Sequence, residues 1–167
     1  ARNPGELRKV PGMTVERRLQ LLKDTPGPLD FPELGGREGI VALEVVFNPA
    51  FEGDRVFALV AGLGGMLRQA YGYNTETYLL SEPLEAEALK TSARNIEILV
   101  WRLKNTRRAD GRPFLVTSEY RGVVDNLSFE RLFGKLIALQ DMMARIAGDA
   151  GDRRVTRAVH AASSMFI

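Results

Sequence analysis

Few residues in this chain have the types and spacing that chemistry requires. Gly62-Leu63-Gly64-Gly65 is the first set. Glycines in a turn before a helix N-terminus bare backbone N–H groups that can hold a phosphate. Here the third glycine of a dinucleotide fingerprint would fall at Leu67, and the Gly-Lys-Ser/Thr of a P-loop is absent. The plainer reading is a run of small residues that lets a helix pack closely, on a sheet or on a copy of itself. The second set is basic: Arg102, Lys104, Arg107, Arg108 and Arg112, offset by Asp110 alone. Its chemistry would be polyanion binding, salt dependent and indifferent to base sequence. The plainer reading is that bases complement a helix C-terminus and solvate the turn after it. Tyr71, Tyr73 and Tyr78 could stack bases beside such a patch, or serve as half-buried anchors.

His160 is the single histidine. A Ser–His–Asp relay needs a nucleophile and a carboxylate beside it. Ser81, Ser118, Ser163 and Ser164 lie in no Gly-x-Ser-x-Gly elbow. With no cysteine, the chain offers no disulfide, thiolate zinc site, iron–sulfur site or cysteine nucleophile. The close acidic pairs, Glu85 with Glu87 and Asp149 with Asp152, fit helix capping and a turn. These residues assign no catalytic, cofactor-binding or metal-binding position, and no cofactor is expected.

The elements that would position them follow from composition and pattern. The chain has 167 residues, 45% hydrophobic and 26% charged, the usage of an ordinary globular domain. Its net charge of +2 leaves little long-range attraction for a polyanion. Arginine dominates the bases, and it suits bidentate contacts to carboxylate or phosphate and buried interfaces. The longest uncharged apolar stretch, Val56 to Leu67, falls short of the roughly 20 residues that span a bilayer. No apolar segment follows Arg2, Arg8 and Lys9 as it would in a secretory signal. The expected location is therefore cytoplasmic, or the virion if this is a phage structural protein, without membrane insertion.

Residues 1–37 hold Pro4, Pro11, Pro26, Pro28 and Pro32 and read as an extended Pro/Gly-rich arm. One short helix interrupts it, capped by Thr14, with Val15, Leu19 and Leu22 as a narrow apolar stripe. Beyond it Leu29, Phe31 and Leu34 are anchors that either pack on their own domain or reach a neighbouring subunit. Residues 38–167 read as the core domain. Ile40 to Phe47 is a β-branched run and predicts a strand. Arg55 to Tyr71 predicts a helix, and Glu76 to Ser81 a strand. Glu82-Pro83 opens a helix through Leu89, Ala93, Ile96, Val100 and Leu103. A turn at Ala109 to Arg112 leads to a strand from Pro113 to Tyr120. Asn126 caps a helix with a broad buried face of Leu132, Phe133, Leu136, Ile137, Gln140 and Met143. Gly148 ends it, and Val155 to His160 is a last strand. This alternation predicts a single α/β or α+β domain, with one mixed sheet of about four strands and three long helices.

Met165, Phe166 and Ile167 form an apolar segment that favours burial. Together with the arm it predicts a non-catalytic structural subunit that forms a homo- or hetero-oligomer, such as a virion, tail or secretion-machine component. Leu29, Phe31, Leu34, Met165, Phe166 and Ile167 are its candidate interaction residues. The alternative is a nucleic-acid-binding module using Arg102, Lys104, Arg107, Arg108 and Arg112. A phosphate-using enzyme built on Gly62 to Gly65 is the third reading.

Overall fold

The computed structural model describes residues 2–74, 84–117 and 127–164, with side chains up to residue 153. Among these residues the fold is helical, with no strand and no sheet. The expected α/β or α+β architecture is therefore corrected. The elements are α1 (Pro4–Leu7), α2 (Val15–Asp24), a 3-10 turn at Pro32–Leu34, α3 (Gly39–Val46), α4 (Arg55–Ala70), α5 (Ala86–Asn105) and α6 (Ser128–Ser164).

Each misplaced strand has a physical reason. Ile40 to Phe47 forms α3 because Gly39, Ala42, Leu43 and Val46 recur at i, i+3, i+4 and i+7, and all four are buried. Of the β-branched residues that suggested a strand, Val45 and Val46 are buried and Ile40 and Val41 are exposed. Pro113 to Thr117 carries only an isolated antiparallel bridge, between Arg107 and Pro113, around the predicted turn. Val155 to His160 continues α6, which runs through Gly148 and the expected turn after it. Glycine inside a helix costs about 1 kcal/mol relative to alanine, which packing can offset. A Cβ on Gly148 would lie 3.9 Å from Ala86 at the start of α5. The strand expected at Glu76 to Ser81, the cap at Asn126 and the segment Met165 to Ile167 lie outside the described residues.

The helices anticipated near α2, α4 and α5 are present. Thr14 caps α2, its hydroxyl accepting from Arg17 N–H at 3.2 Å. Asp54 caps α4, accepting from Val56 and Phe57 N–H at 3.0 Å each.

Two antiparallel helix pairs make the body. In the α3–α4 pair the backbones approach closely at Gly62 and Gly65. A Cβ on Gly62 would lie 2.9 Å from the Leu43 backbone nitrogen, and one on Gly65 3.0 Å from that of Gly39. In the α5–α6 pair, Lys104 meets Glu130 at 2.9 Å, Ser92 Oγ meets Gln140 Oε1 at 3.0 Å, and Ala86 neighbours Gly148. The rest of α6, about 24 Å at 1.5 Å per residue, runs past the first residue of α5.

One core joins these parts. Leu29, Phe31 and Leu34 lie in it with Leu43, Val46, Phe57, Ile96, Leu103, Phe114 and Phe133. Residues 2–3 return to the segment before α6. Arg2 donates to the Thr117 carbonyl and, at 2.9 Å, to Ser128 Oγ. The Asn3 side chain donates to the Val116 carbonyl at 3.0 Å and accepts from its N–H at 2.8 Å.

Candidate functional site

Arginines do much of the positioning. Arg55 is buried at the N-terminus of α4 and donates to the carbonyls of Val46 at 3.2 Å and Asn48 at 2.9 Å, closing the C-terminal end of α3. Burial and the nearby Arg108 lower its pKa, while Glu6 pulls it back up. Arg68 near the end of α4 donates to Leu22, Thr25 and Gly27 carbonyls at 3.0, 2.6 and 2.9 Å. It ties the end of α2 to α4. Arg18, the one buried residue of α2, pairs with Glu33, lies 3.4 Å from Asp54 and stacks 3.9 Å from the Phe57 ring centre.

The basic turn is also tied down within the chain. Arg102 forks onto Glu44 and covers the Phe47 ring at 4.2 Å. Lys104 pairs with Glu130. Arg108 approaches Glu6 at 4.0 Å and donates to the Phe114 carbonyl at 3.1 Å. Arg112 stands 3.9 Å from Asp110. Arg107 is exposed and donates to the carbonyl of its neighbour Thr106. Four of the five bases face a carboxylate within the chain.

The glycine run lies in the middle of α4, whose N-terminus is at Arg55. Its N–H groups belong to the helix ladder, so the phosphate-turn geometry does not form. Gly62 and Gly65 instead serve the contact with α3, and Gly64 faces Leu29 of the arm, 3.1 Å from a would-be Cβ. Tyr73, at a left-handed φ of 59°, donates its hydroxyl to Glu38 Oε2 at 2.8 Å. Glu38 Oε1 accepts from Leu29 N–H at 3.3 Å. Tyr71 OH lies 3.4 Å from Gln140. These tyrosines act as anchors. No group of three or more metal-binding side chains occurs among the described residues. No helix among them is long and apolar enough to cross a membrane.

Among the described residues, three apolar faces remain in contact with solvent. A groove of about 550 Å³ opens between α1, α2 and the start of α4, lined by Leu7, Val15, Leu19, Leu22, Val56 and Val60. Val15 and Leu19 are about half exposed there, at 53% and 50%. Of the α2 stripe found in the sequence, Leu22 packs against the core while Val15 and Leu19 stay open along the groove. A second face brings Ile40 of α3 together with Ile98 of α5; Val41 and Trp101 on the same helices are also exposed, Trp101 at 63%. The third is the outer side of α6: Leu132, Leu139, Met142 and Ile146. Leu132 was expected on the buried face with Phe133 and Gln140. It is 56% exposed, whereas Phe133, Leu136 and Ile137 pack on the core and Gln140 bonds Ser92 of α5. Sequence reasoning missed the second and third faces. The seven-residue spacing of Leu132, Leu139 and Ile146 was the available signal for the latter.

Compared with protein-family models, with curated proteins and with solved structures, the chain matches none.

Proposed function

We propose that this protein is a non-catalytic assembly subunit that associates with other copies of itself. The observation that carries the reading is α2. Its one buried side chain is an ion-paired arginine, and Val15 and Leu19 of its apolar stripe stay open along the groove. Arg18, Arg68 and the Thr14 cap hold this helix in place, so the stripe is available without unfolding anything. Monomeric proteins rarely leave contiguous apolar faces open, and those that exist tend to mark interaction sites. The candidate anchors Leu29, Phe31 and Leu34 contribute differently. They fix the arm to its own body and so shape the groove from behind. The basic cluster gives its nucleic-acid alternative less support, because carboxylates within the chain already offset most of its charge.

Absolute mass by light scattering after size exclusion tests the reading. A species of two or more chains is expected at micromolar concentration. Leu19→Asp should lower that mass while changing stability by no more than about 0.5 kcal/mol, as exposed substitutions do. A full-length chain that stays monomeric throughout would overturn it.

A further inference from the structure

The geometry points to the outer side of α6 as a homotypic contact, in which α6 of a second copy lies antiparallel along Leu132, Leu139, Met142 and Ile146. This deepens the assembly reading and rests on it.

The spacing is the first argument. Leu132, Leu139 and Ile146 are seven residues apart, and Met142 falls three after Leu139 and four before Ile146. That is the alternation of a helix-pairing seam, about 3.5 residues per repeat. All four side chains are 37–56% exposed on a helix whose opposite arc is occupied by α5. The seam therefore neighbours an existing interhelical contact. A second α6 would extend the α5–α6 pair into a four-helix layer, two helices from each copy.

Charge selects the occupant and its direction. Arg131 flanks the start of the seam, Lys135 takes the seam position between Leu132 and Leu139, and Asp149 takes the one after Ile146, all exposed. Parallel copies would set Arg131 and Lys135 against themselves and Asp149 against itself. Like charges facing each other along helices are destabilising. An antiparallel copy with Leu139 opposite the partner's Met142 reverses this. Leu132 then falls opposite the partner's Asp149, so Arg131 stands beside that carboxylate. Lys135 falls opposite the partner's Ile146, within one turn of it. The Lys135 stem covers Ile146 while its ammonium reaches toward Asp149, as long cationic side chains do. Arg153 falls opposite the partner's Ser128 and has no acid to meet there. The arrangement is its own complement under a two-fold axis near residues 140–141, as an isologous contact requires.

The chain has no cysteine, so single introduced thiols report without background. Met142→Cys and Leu132→Cys would each be treated with a bismaleimide about one helix diameter long, roughly 10 Å. In the antiparallel register the two 142 positions lie within reach across the axis. The two 132 positions are separated by about 25 Å along it, at 1.5 Å per residue. Crosslinked dimer with Met142→Cys and none with Leu132→Cys is expected. Leu139→Glu with Ile146→Glu should reduce the assembly's mass at least twofold. Crosslinking by Leu132→Cys would overturn the antiparallel arrangement. If unmodified protein associates but Met142→Cys gives no dimer, the α6 contact falls and the assembly reading stands. If unmodified protein is monomeric, both fall.

Discussion

The glycines of α4 show how one hydrogen atom in place of a side chain sets an interhelical distance. A Cβ on Gly62 would press within 2.9 Å of both the Leu43 backbone nitrogen and its Cγ. The backbone cannot step aside without moving α3. Gly62→Ala should therefore cost about 1–3 kcal/mol, the usual cost of overpacking. Gly64→Ala should cost less, because only the end of the Leu29 side chain stands in the way. Urea melts of the two variants compare them directly, and equal midpoints would refute the argument. Tyr73 gives a pH signature. Its hydrogen bond to Glu38, helped by burial and by the charges of Glu38 and Asp30, raises the phenol above its ordinary 10.0. Losing the proton is then harder in the folded chain than in the unfolded one. The stabilisation is complete below pH 10 and fades as pH rises through the folded value. Stability measured from pH 8 to 11.5 should fall at the alkaline end, and Tyr73→Phe should remove that part of the fall. Asp54 separates capping from pairing. Asp54→Asn and Asp54→Ala both remove the carboxylate that lies 3.4 Å from Arg18, but asparagine keeps an N-cap acceptor and alanine loses the cap as well, worth about 0.5–2 kcal/mol. Thermal melts should rank alanine well below asparagine.

At the scale of elements, α2 depends on polar clamps more than on apolar packing. Arg68→Met should leave three carbonyls at its end without their donor, two of them just beyond the helix. Unsatisfied, partly buried acceptors cost about 1–3 kcal/mol each at most. Hydrogen exchange should then quicken in α2 while α5 keeps its protection. Equal quickening in both would mean that α2 is not separately held. The same scale shows what could be read in advance. Helices with a clear 3.6-residue period and a recognisable start, α2 at Thr14 and the run from Leu89 to Leu103, were legible. So was the close packing of the glycine run, although its partner is α3 and not a sheet. The period of α3 was present too, in Gly39, Ala42, Leu43 and Val46, but β-branched neighbours masked it. A short apolar run suits a buried helix and a buried strand equally, and only the partner decides. Gly148 misled for a similar reason, since its glycine sits against α5 and stops nothing. The basic cluster was visible as residues, but its partners Glu44 and Glu130 are distant in sequence and could not be paired by spacing.

For the whole molecule, Leu29, Phe31 and Leu34 of residues 1–37 lie in the core, the first of the two dockings open to them. Leu29 and Leu34 are each 2% exposed, and large-to-small changes at such positions cost about 2–5 kcal/mol. A chain lacking residues 1–37 should lose cooperative thermal unfolding by circular dichroism. A sharp melt at the full-length midpoint would show the arm to be dispensable. The helix content also predicts a far-UV spectrum dominated by helix, which a sheet of several strands would contradict.

The ties of Arg2 and Asn3 carry a consequence for the order of events during synthesis. Asn3 binds Val116, 113 residues downstream. At about 5–20 residues per second, translation needs about 6 to 23 s to make that partner. Through that interval Arg2 and Asn3 emerge without their final partners, and Glu6 without Arg108. A ribosome-bound chain arrested before residue 113 should stay open to protease near its N-terminus. One arrested well beyond residue 128 should not.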